Sequence, residues 1–177
     1  MNITVYLGAC EGRDPHLKQA VRELGTWIGT SGNSLVYGGS KTGLMGELAL
    51  AALEAGAEVT GVEPQFFIDS VLQLEGLTRL IVTPDIAERK AKMIELGDAF
   101  VAFPGGTGTL EEISQIMSMI GLGQLDAPCV FYNLNGYYNP MAEQLDRMLA
   151  CDLTSPERLQ GISFARNLDE LVACLQA

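Results

Sequence analysis

One stretch constrains the fold of this chain more than any other, and it runs from Asp98 to Glu112 with the sequence DAFVAFPGGTGTLEE. Its apolar first third is typical of a buried strand, and it stops at a proline, which cannot donate a hydrogen bond to a β-ladder. Gly105, Gly106 and Gly108 follow, where the backbone can bend sharply and a ligand can touch it. Apolar residues then recur at helical spacing, which predicts a helix starting at Thr109. The N–H groups and the positive dipole end of such a helix suit a phosphate.

The same residues also fit a purely structural explanation. Thr109 and Glu112 have the spacing of a capping box, in which both side chains bind N–H groups at a helix start. A capping box needs none of the three glycines, however. The glycine content therefore favours close approach of the backbone to a ligand.

Elsewhere the chain alternates short apolar strands with helices. Further strands are predicted over residues 3–7, 34–37, 58–62, 78–82, 129–133 and 162–165, and the connection 64–74 is predicted to be helical or irregular. This alternation predicts the α/β class, with a Rossmann-like, doubly wound parallel sheet and helices on both faces. The 177 residues show no break in composition, so we expect a single nucleotide-binding domain over residues 1–177.

Glycine-bearing loops follow three of the predicted strands, at Gly8, at Gly38 and Gly39, and at residues 105–108. Ligands of such sheets bind beyond the carboxyl ends of the strands, so we expect the three loops to share one edge and to form the site. The glycines do not form a dinucleotide fingerprint, since Glu111 stands where the third glycine belongs. Nor do they form a P-loop, because the glycine that should open that motif is missing.

Charge and composition exclude several partners. The formal net charge of -11 would repel a phosphodiester backbone, so no nucleic acid is expected. No apolar run approaches the roughly 20 residues of a membrane span, and no basic flank precedes the short apolar N-terminal stretch. We expect a cytoplasmic protein that does not bind membranes.

The thiol and imidazole groups do not indicate a metal site. The four cysteines contain no C-x-x-C pair and His16 is the single histidine, so neither zinc nor a disulfide framework is expected. Cys10 follows a strand, where a small buried residue is commoner than a nucleophile. No set of residues typical of a pyridoxal enzyme stands out, and no cofactor is expected.

Two basic residues, Arg89 and Lys90, follow Asp85 in the first turns of a predicted helix. Charges at helical spacing usually form a solvated, ion-pairing face. Their place near the carboxyl edge of the sheet offers an alternative, in which Arg89 meets a phosphate, a carboxylate or a leaving group.

Four segments together resemble the LOG family of cytokinin riboside 5'-monophosphate phosphoribohydrolases, long mislabelled lysine decarboxylases. They are VYGG at 36–39, GLMG at 43–46, ERK at 88–90 and PGGTGTLEE at 104–112, the last of which meets every fixed position of the family pattern P-G-G-x-G-T-x-x-E. The resemblance implies a Rossmann-like homodimer that hydrolyses the N-glycosidic bond of a nucleoside 5'-monophosphate, here AMP or an N6-modified form of it. The products would be the free base and ribose 5-phosphate.

The resemblance also implies roles for individual residues. Arg89 and Glu112 correspond to the catalytic pair, and the loop from Gly105 to Thr109 to the phosphate cradle, with Lys90 and Thr107 as further contacts. A carboxylate such as Glu112 can stabilise an oxocarbenium-like ribose and position water. A nucleotide-binding or carrier protein without turnover is the alternative, and it would need neither member of the catalytic pair.

The chain departs from the family pattern at two places. Ile86 and Ala87 stand where the family usually has Met-His, and Ser40 and Lys41 replace a more glycine-rich or apolar pair. These differences bear on base preference more than on the reaction. The helix after Glu112 is apolar on more than one face, which fits a dimer interface beside the core.

Overall fold

Seven short strands form one parallel sheet in the computed structural model, which describes residues 1–70 and 72–176 and all their side chains but that of Asp69. The strands are β1 (Asn2–Tyr6), β2 (Ser34–Tyr37), β3 (Val59–Pro64), β4 (Arg79–Thr83), β5 (Ala99–Ala102), β6 (Cys129–Tyr132) and β7 (Ile162–Ala165). Their order across the sheet is β4-β3-β2-β1-β5-β6-β7. The predicted α/β class and doubly wound parallel sheet are confirmed.

Helices cover both faces of the sheet. They are α1 (His16–Thr30), α2 (Gly43–Glu54), α3 (Gln65–Asp69), α4 (Ile86–Leu96), α5 (Thr107–Gly121), α6 (Asn139–Ala150) and α7 (Leu168–Leu175). The apolar sides of α1, α2 and α7 pack on one face, and those of α4, α5 and α6 on the other. Among the described residues, no helix is both long enough and apolar enough to cross a membrane.

Alternation along the central strands divides the core between the two faces. In β1, Ile3 and Val5 pack on the face of α1, whereas Tyr6 packs on the opposite face. In β5, Val101 packs with the first set and Phe100 with the second. Buried strands of this kind are apolar on both sides, which is why they appear in the sequence as short apolar runs.

The direction in which the chain adds successive strands to the sheet reverses between β1 and β5. The chain first builds outward from β1 through β2 and β3 to β4, and then returns to place β5 on the other side of β1. The loops after these two strands therefore diverge to opposite faces and leave a crevice between them, where ligands of such sheets bind.

The predicted boundaries are close to the observed ones, with three informative differences. Helix α5 begins at Thr107, two residues before the predicted start at Thr109, because the backbone is already helical after Gly106. Within the connection predicted for residues 64–74, α3 is followed by a bridge between Ser40 and Gln73, and Val71 lies outside the described residues. Two 3-10 turns, Leu134–Gly136 and Pro156–Leu159, occupy connections for which the sequence predicts no helix.

Candidate active site

A cavity of about 720 Å³ opens at the carboxyl edge of the sheet. Its walls come from the loops after β1, β2 and β5, from the end of β3, and from the first turns of α4 and α5. The prediction that the three glycine-bearing loops share one edge is confirmed. Gly39 alone among the predicted glycines is absent from the described wall, and Gly38 lines the cavity instead.

The loops after β1 and β5 meet through glycine. A Cβ atom on Gly105 would collide with the Thr109 hydroxyl and would lie 2.8 Å from the backbone nitrogen of Gly8. A Cβ on Gly8 would in turn lie 3.3 Å from the Gly105 Cα. These two glycines are therefore required by the packing of the loops on each other, whatever binds in the cavity.

The start of α5 faces the open cavity. Gly106 precedes the first helical turn, and Gly106, Thr107 and Gly108 are all exposed and line the wall. A Cβ on Gly106 or Gly108 would meet no atom within 4 Å. The first N–H groups of a helix have no partner within it, so this turn presents free donors to a ligand.

The capping-box interpretation is wrong. Thr109 lies inside α5 rather than at its cap and is buried, and no side-chain hydrogen bond caps the helix start. The carboxylate of Glu112 instead accepts a hydrogen bond from Arg89. Glu112 therefore contacts α4 and does not cap α5.

Arg89 and Glu112 form a buried ion pair at the cavity wall. The Arg89 Nη1 atom lies 2.7 Å from the Glu112 Oε1 atom, and each residue is only 7% exposed. The Arg89 Nε atom donates to the backbone carbonyl of Val62 at 2.9 Å, and its Nη2 atom occupies the space that a side chain at Gly38 would fill. The interpretation of Arg89 as part of a solvated face is therefore wrong. Asp85 fixes the start of its helix by accepting a hydrogen bond from the Glu88 N–H at 2.9 Å.

Burial dominates the electrostatics of this pair. Loss of hydration raises the pKa of Glu112, and the neighbouring Arg89 opposes that rise. The hydroxyl of Tyr6 lies in the same environment, where burial and the Glu112 charge raise its pKa. A carboxylate with a raised pKa next to a cavity is suited to accept a proton during a reaction.

Lys90 occupies a more open part of the wall. Its Nζ atom lies 2.6 Å from the Glu111 carboxylate, which is mostly exposed. The ion pair joins α4 to the first turns of α5 and keeps this positive charge at the cavity wall. The predicted contact residues Lys90 and Thr107 both line the cavity.

The sequence prediction missed two residues of the cavity wall, Tyr137 and Glu63, and was wrong about the burial of a third, Cys10. The Tyr137 hydroxyl donates to the Gly105 carbonyl at 2.5 Å and braces the loop after β5, although its position next to a predicted turn carried no signal. Glu63, the acidic residue near the end of β3, is fully buried yet lines the cavity. Cys10, expected to be buried, is an exposed part of the wall.

The described part of the chain contains no cluster of three or more histidine, cysteine, aspartate or glutamate side chains that could hold a metal ion. All four cysteines are free thiols. The Nδ1 atom of His16 lies 2.8 Å from the Asp14 carboxylate on the surface. The charged side chains in the described wall of the cavity are those of Arg89, Lys90, Glu63, Glu111 and Glu112.

The sheet and the cavity at its switch point define the class, which is that of Rossmann-like α/β proteins with a ligand site at the carboxyl edge. A family model described as "Possible lysine decarboxylase" matches residues 45–175. A cytokinin riboside 5'-monophosphate phosphoribohydrolase of Rhodococcoides fascians is 38% identical over 178 residues, covering 99% of this chain and 89% of the relative. One from Arabidopsis thaliana is 34% identical over 175 residues, covering 99% and 77%. The chain belongs to this LOG family of phosphoribohydrolases.

Solved structures support the fold. The molybdenum cofactor carrier protein from Chlamydomonas reinhardtii superposes with a TM-score of 0.75 at 23% identity, covering 99% of this chain and 95% of that one. The molybdenum cofactor binding protein from Rippkaea orientalis gives a TM-score of 0.71 at 19% identity, covering 99% and 94%. Likeness at this level of identity extends to the fold and not to what those proteins bind.

Proposed function

We propose that this protein is a hydrolase that cleaves the N-glycosidic bond of adenosine 5'-monophosphate, with or without a substituent on N6, to give the free base and ribose 5-phosphate. The observation that carries the proposal is the buried ion pair of Arg89 with Glu112 at the wall of a nucleotide-sized cavity. The phosphoribohydrolase names of relatives at 33–38% identity over nearly the whole chain support the same reaction.

The substrate phosphate would bind at the start of α5. The exposed backbone at Gly106, Thr107 and Gly108 offers N–H donors, and Lys90 adds a positive charge on the same wall. Such a site can hold a nucleotide although the net charge of the chain is -11. Salt screens the repulsion between the phosphate and distant surface carboxylates, whereas it screens the close contacts inside a cleft much less. Gly8 and Gly105 contribute by letting the loops approach each other.

Glu112 would act on the sugar. Breaking the bond between C1' and the base nitrogen leaves positive charge on the ribose, which a nearby carboxylate stabilises. Water then adds to C1', and Glu112 orients it and accepts its proton. The electron pair of the broken bond leaves with the base, which takes up a proton, so the reaction consumes one water molecule and needs no cofactor.

Arg89 would act both on Glu112 and on the departing base. Its bond to the Val62 carbonyl and its contact with Gly38 fix the guanidinium, so that it keeps Glu112 ionised and oriented. The same fixed charge can stabilise negative charge on the departing base, and preorganised charges of this type often supply the largest part of catalysis.

The test is to incubate the protein with AMP, N6-isopentenyl-AMP, GMP and CMP and to follow free base and ribose 5-phosphate by chromatography. We expect release from the adenine nucleotides by the wild type, and losses of about 100-fold or more in Glu112→Gln and Arg89→Ala. Glu95→Gln, which alters an exposed ion pair with Lys92 on α4, is the matched control and should behave as wild type. Nucleotide binding by calorimetry without release of base would contradict the hydrolase and favour a binding or carrier protein.

We also propose that the protein is a homodimer. Exposed apolar side chains lie in α5 and directly after it, with Leu110 in the helix at 42% exposure and Leu122, the residue that follows its last turn, at 62%. A contiguous patch of exposed apolar side chains marks an interaction face, and the partly exposed Met117, Met119 and Ile120 lie between these two leucines along the chain. The family resemblance implies the same assembly.

A further inference from the structure

Glu63 combines complete burial with a lack of hydrogen-bond partners. The residue is 0% exposed, and neither oxygen of its carboxyl group has a hydrogen-bond partner among the described residues. Buried polar groups are normally paired, because desolvating one without compensation costs free energy. A fully buried and unpaired carboxyl in the wall of a ligand cavity therefore calls for a functional explanation.

The buried side-chain N and O atoms that lack a hydrogen-bond partner in the described part of the chain belong to three residues, and Glu63 is one of them. Every other buried side-chain N or O atom that lacks a partner in the described part of the chain belongs to Tyr37 or Gln73. Tyr37 precedes the loop at Gly38–Lys41, and Gln73 pairs with Ser40 of that loop through a β-bridge. The unpaired polar atoms thus adjoin one short loop at the edge of the cavity.

Gly39 makes room for the carboxyl. A Cβ atom on Gly39 would lie 2.5 Å from the Glu63 Cγ, and the backbone φ of Gly39 is +84°, a conformation that side-chain-bearing residues rarely adopt. The two adjacent glycines therefore each accommodate one ionisable side chain, with Gly38 next to Arg89 and Gly39 next to Glu63.

The balance of charge favours a neutral carboxyl at this position. Three glutamates line the cavity, Glu63, Glu111 and Glu112, against two cations. Arg89 is bonded to Glu112 and Lys90 to Glu111, so each cation already has a carboxylate partner. Glu63 is left without an ion pair, and burial raises its pKa while the charge of Arg89 limits the rise.

Sheet order places Glu63 at the far end of the site from the phosphate cradle. The strands β5, β1, β2 and β3 are successive neighbours, so three strand spacings, about 14 Å, separate the end of β5, which leads into α5, from the end of β3. Arg89 and Glu112 act between these two ends. A nucleotide with its phosphate at α5 and its sugar at the ion pair would extend its base toward Glu63.

We propose that Glu63 determines base specificity by binding, as a neutral carboxylic acid, the edge of a purine that carries a 6-amino group. The protonated carboxyl offers one O–H donor and one carbonyl acceptor. Adenine offers the complement, a ring nitrogen acceptor beside an amino N–H donor, and it keeps one N–H when N6 carries a substituent. A purine without a 6-amino group keeps the ring acceptor but offers no N–H donor beside it, and guanine, with two adjacent N–H donors, would suit an ionised carboxylate. This inference rests on the proposed function for its orientation of the substrate.

The experiment compares dissociation constants of AMP, purine riboside 5'-monophosphate (which lacks the 6-amino group), GMP and ribose 5-phosphate by calorimetry at 5 °C, for wild type, Glu63→Leu, Glu63→Gln and Tyr37→Phe. For the wild type we expect AMP to bind about 10- to 100-fold more tightly than purine riboside 5'-monophosphate, the range that an unpaired buried polar group costs. Glu63→Leu should bring that ratio close to one and leave ribose 5-phosphate binding within about threefold, since the cradle is untouched. Glu63→Gln should keep the preference for AMP, because an amide offers the same donor and acceptor.

Tyr37→Phe is the control for a purely structural role. It removes the other unpaired group that interacts with Glu63 but does not line the cavity, so it should leave the ratio of the AMP and purine riboside 5'-monophosphate dissociation constants unchanged. The proposal is overturned if the wild type does not prefer AMP, if Glu63→Leu keeps the wild-type ratio, or if it weakens ribose 5-phosphate as much as AMP. A wild type that prefers AMP through Glu63 but releases no base would contradict the hydrolase and leave this inference standing.

Discussion

At the scale of single residues, the glycines of the loop after β5 do two different things. Gly105 is closed in by Thr109 and Gly8, whereas Gly106 and Gly108 border open space. The sequence motif cannot separate these roles, because it records only that three glycines occur together. The distinction between packing and ligand approach is a property of the folded loop.

Substituting these glycines separates the two roles. Gly105→Ala should lower the free energy of unfolding by about 1–3 kcal/mol, because the added methyl group collides with its neighbours. Gly106→Ala should leave the melting temperature nearly unchanged and weaken ribose 5-phosphate binding, if the ligand approaches that backbone. Thermal denaturation and calorimetry measure the two effects, and unchanged ligand affinity in Gly106→Ala would contradict the cradle.

The buried carboxyl of Glu63 should make stability depend on pH. Burial raises its pKa above that of an ordinary glutamate, so the folded protein holds this proton more tightly than the unfolded chain. Stability from this group is complete at low pH and is lost as the pH rises through the folded pKa. The charged and titratable neighbours that interact with it are Arg89 and Tyr37.

We therefore expect the melting temperature of Glu63→Gln to rise relative to that of the wild type as the pH is raised from about 5 to about 8, because only the wild type loses the stabilisation of its protonated Glu63. Differential scanning calorimetry across that range provides the measurement. Exposed Glu95→Gln should differ from the wild type by a constant amount. A difference for Glu63→Gln that does not change with pH would refute the neutral carboxyl.

At the scale of elements, α4 carries Arg89, the arginine of the proposed catalytic pair, and its first turn is held by an N-terminal cap. Asp85→Ala removes the bond to the Glu88 N–H and should cost about 1 kcal/mol, or about 2–4 °C in melting temperature. The loosened first turn holds Arg89, so the turnover of AMP should fall as well.

Asn167→Ala is the matched control for this cap. Asn167 caps α7 by accepting from the Glu170 N–H at 2.9 Å, and it does not line the cavity. Its loss should lower the melting temperature by a similar amount without changing turnover. Equal turnover in the two variants, measured by base release, would show that capping of α4 does not position Arg89.

The elements themselves were largely predictable from the sequence. Seven apolar runs and the helices between them fixed the class of fold, and Asp85 was identified as a helix start from its residue type and place. The start of α5 was misplaced because Thr109 and Glu112 imitate a capping box, while the contact that Glu112 makes is with α4, 23 residues earlier in the chain. Glu63 and Tyr137 gave no signal, since their roles depend on which loops the sheet brings together.

At the scale of the whole molecule, the proposed dimer can be tested through α5. Light scattering should give a mass of twice the 19.0 kDa of one chain. Leu122→Glu should shift the protein toward the monomer, because a charge would be buried in the interface. Leu153→Glu, at a position 77% exposed and outside α5, is the control and should remain dimeric. A monomeric wild type would contradict the assembly.

The central claim is that the ion pair of Arg89 with Glu112 performs glycosidic hydrolysis, and a single-turnover experiment tests it most directly. Enzyme in excess over AMP should release adenine and ribose 5-phosphate in equal amounts. Glu112→Gln should slow that release by about 100- to 10,000-fold while ribose 5-phosphate binds within about threefold of wild type. Release of base by Glu112→Gln at the wild-type rate would contradict the account.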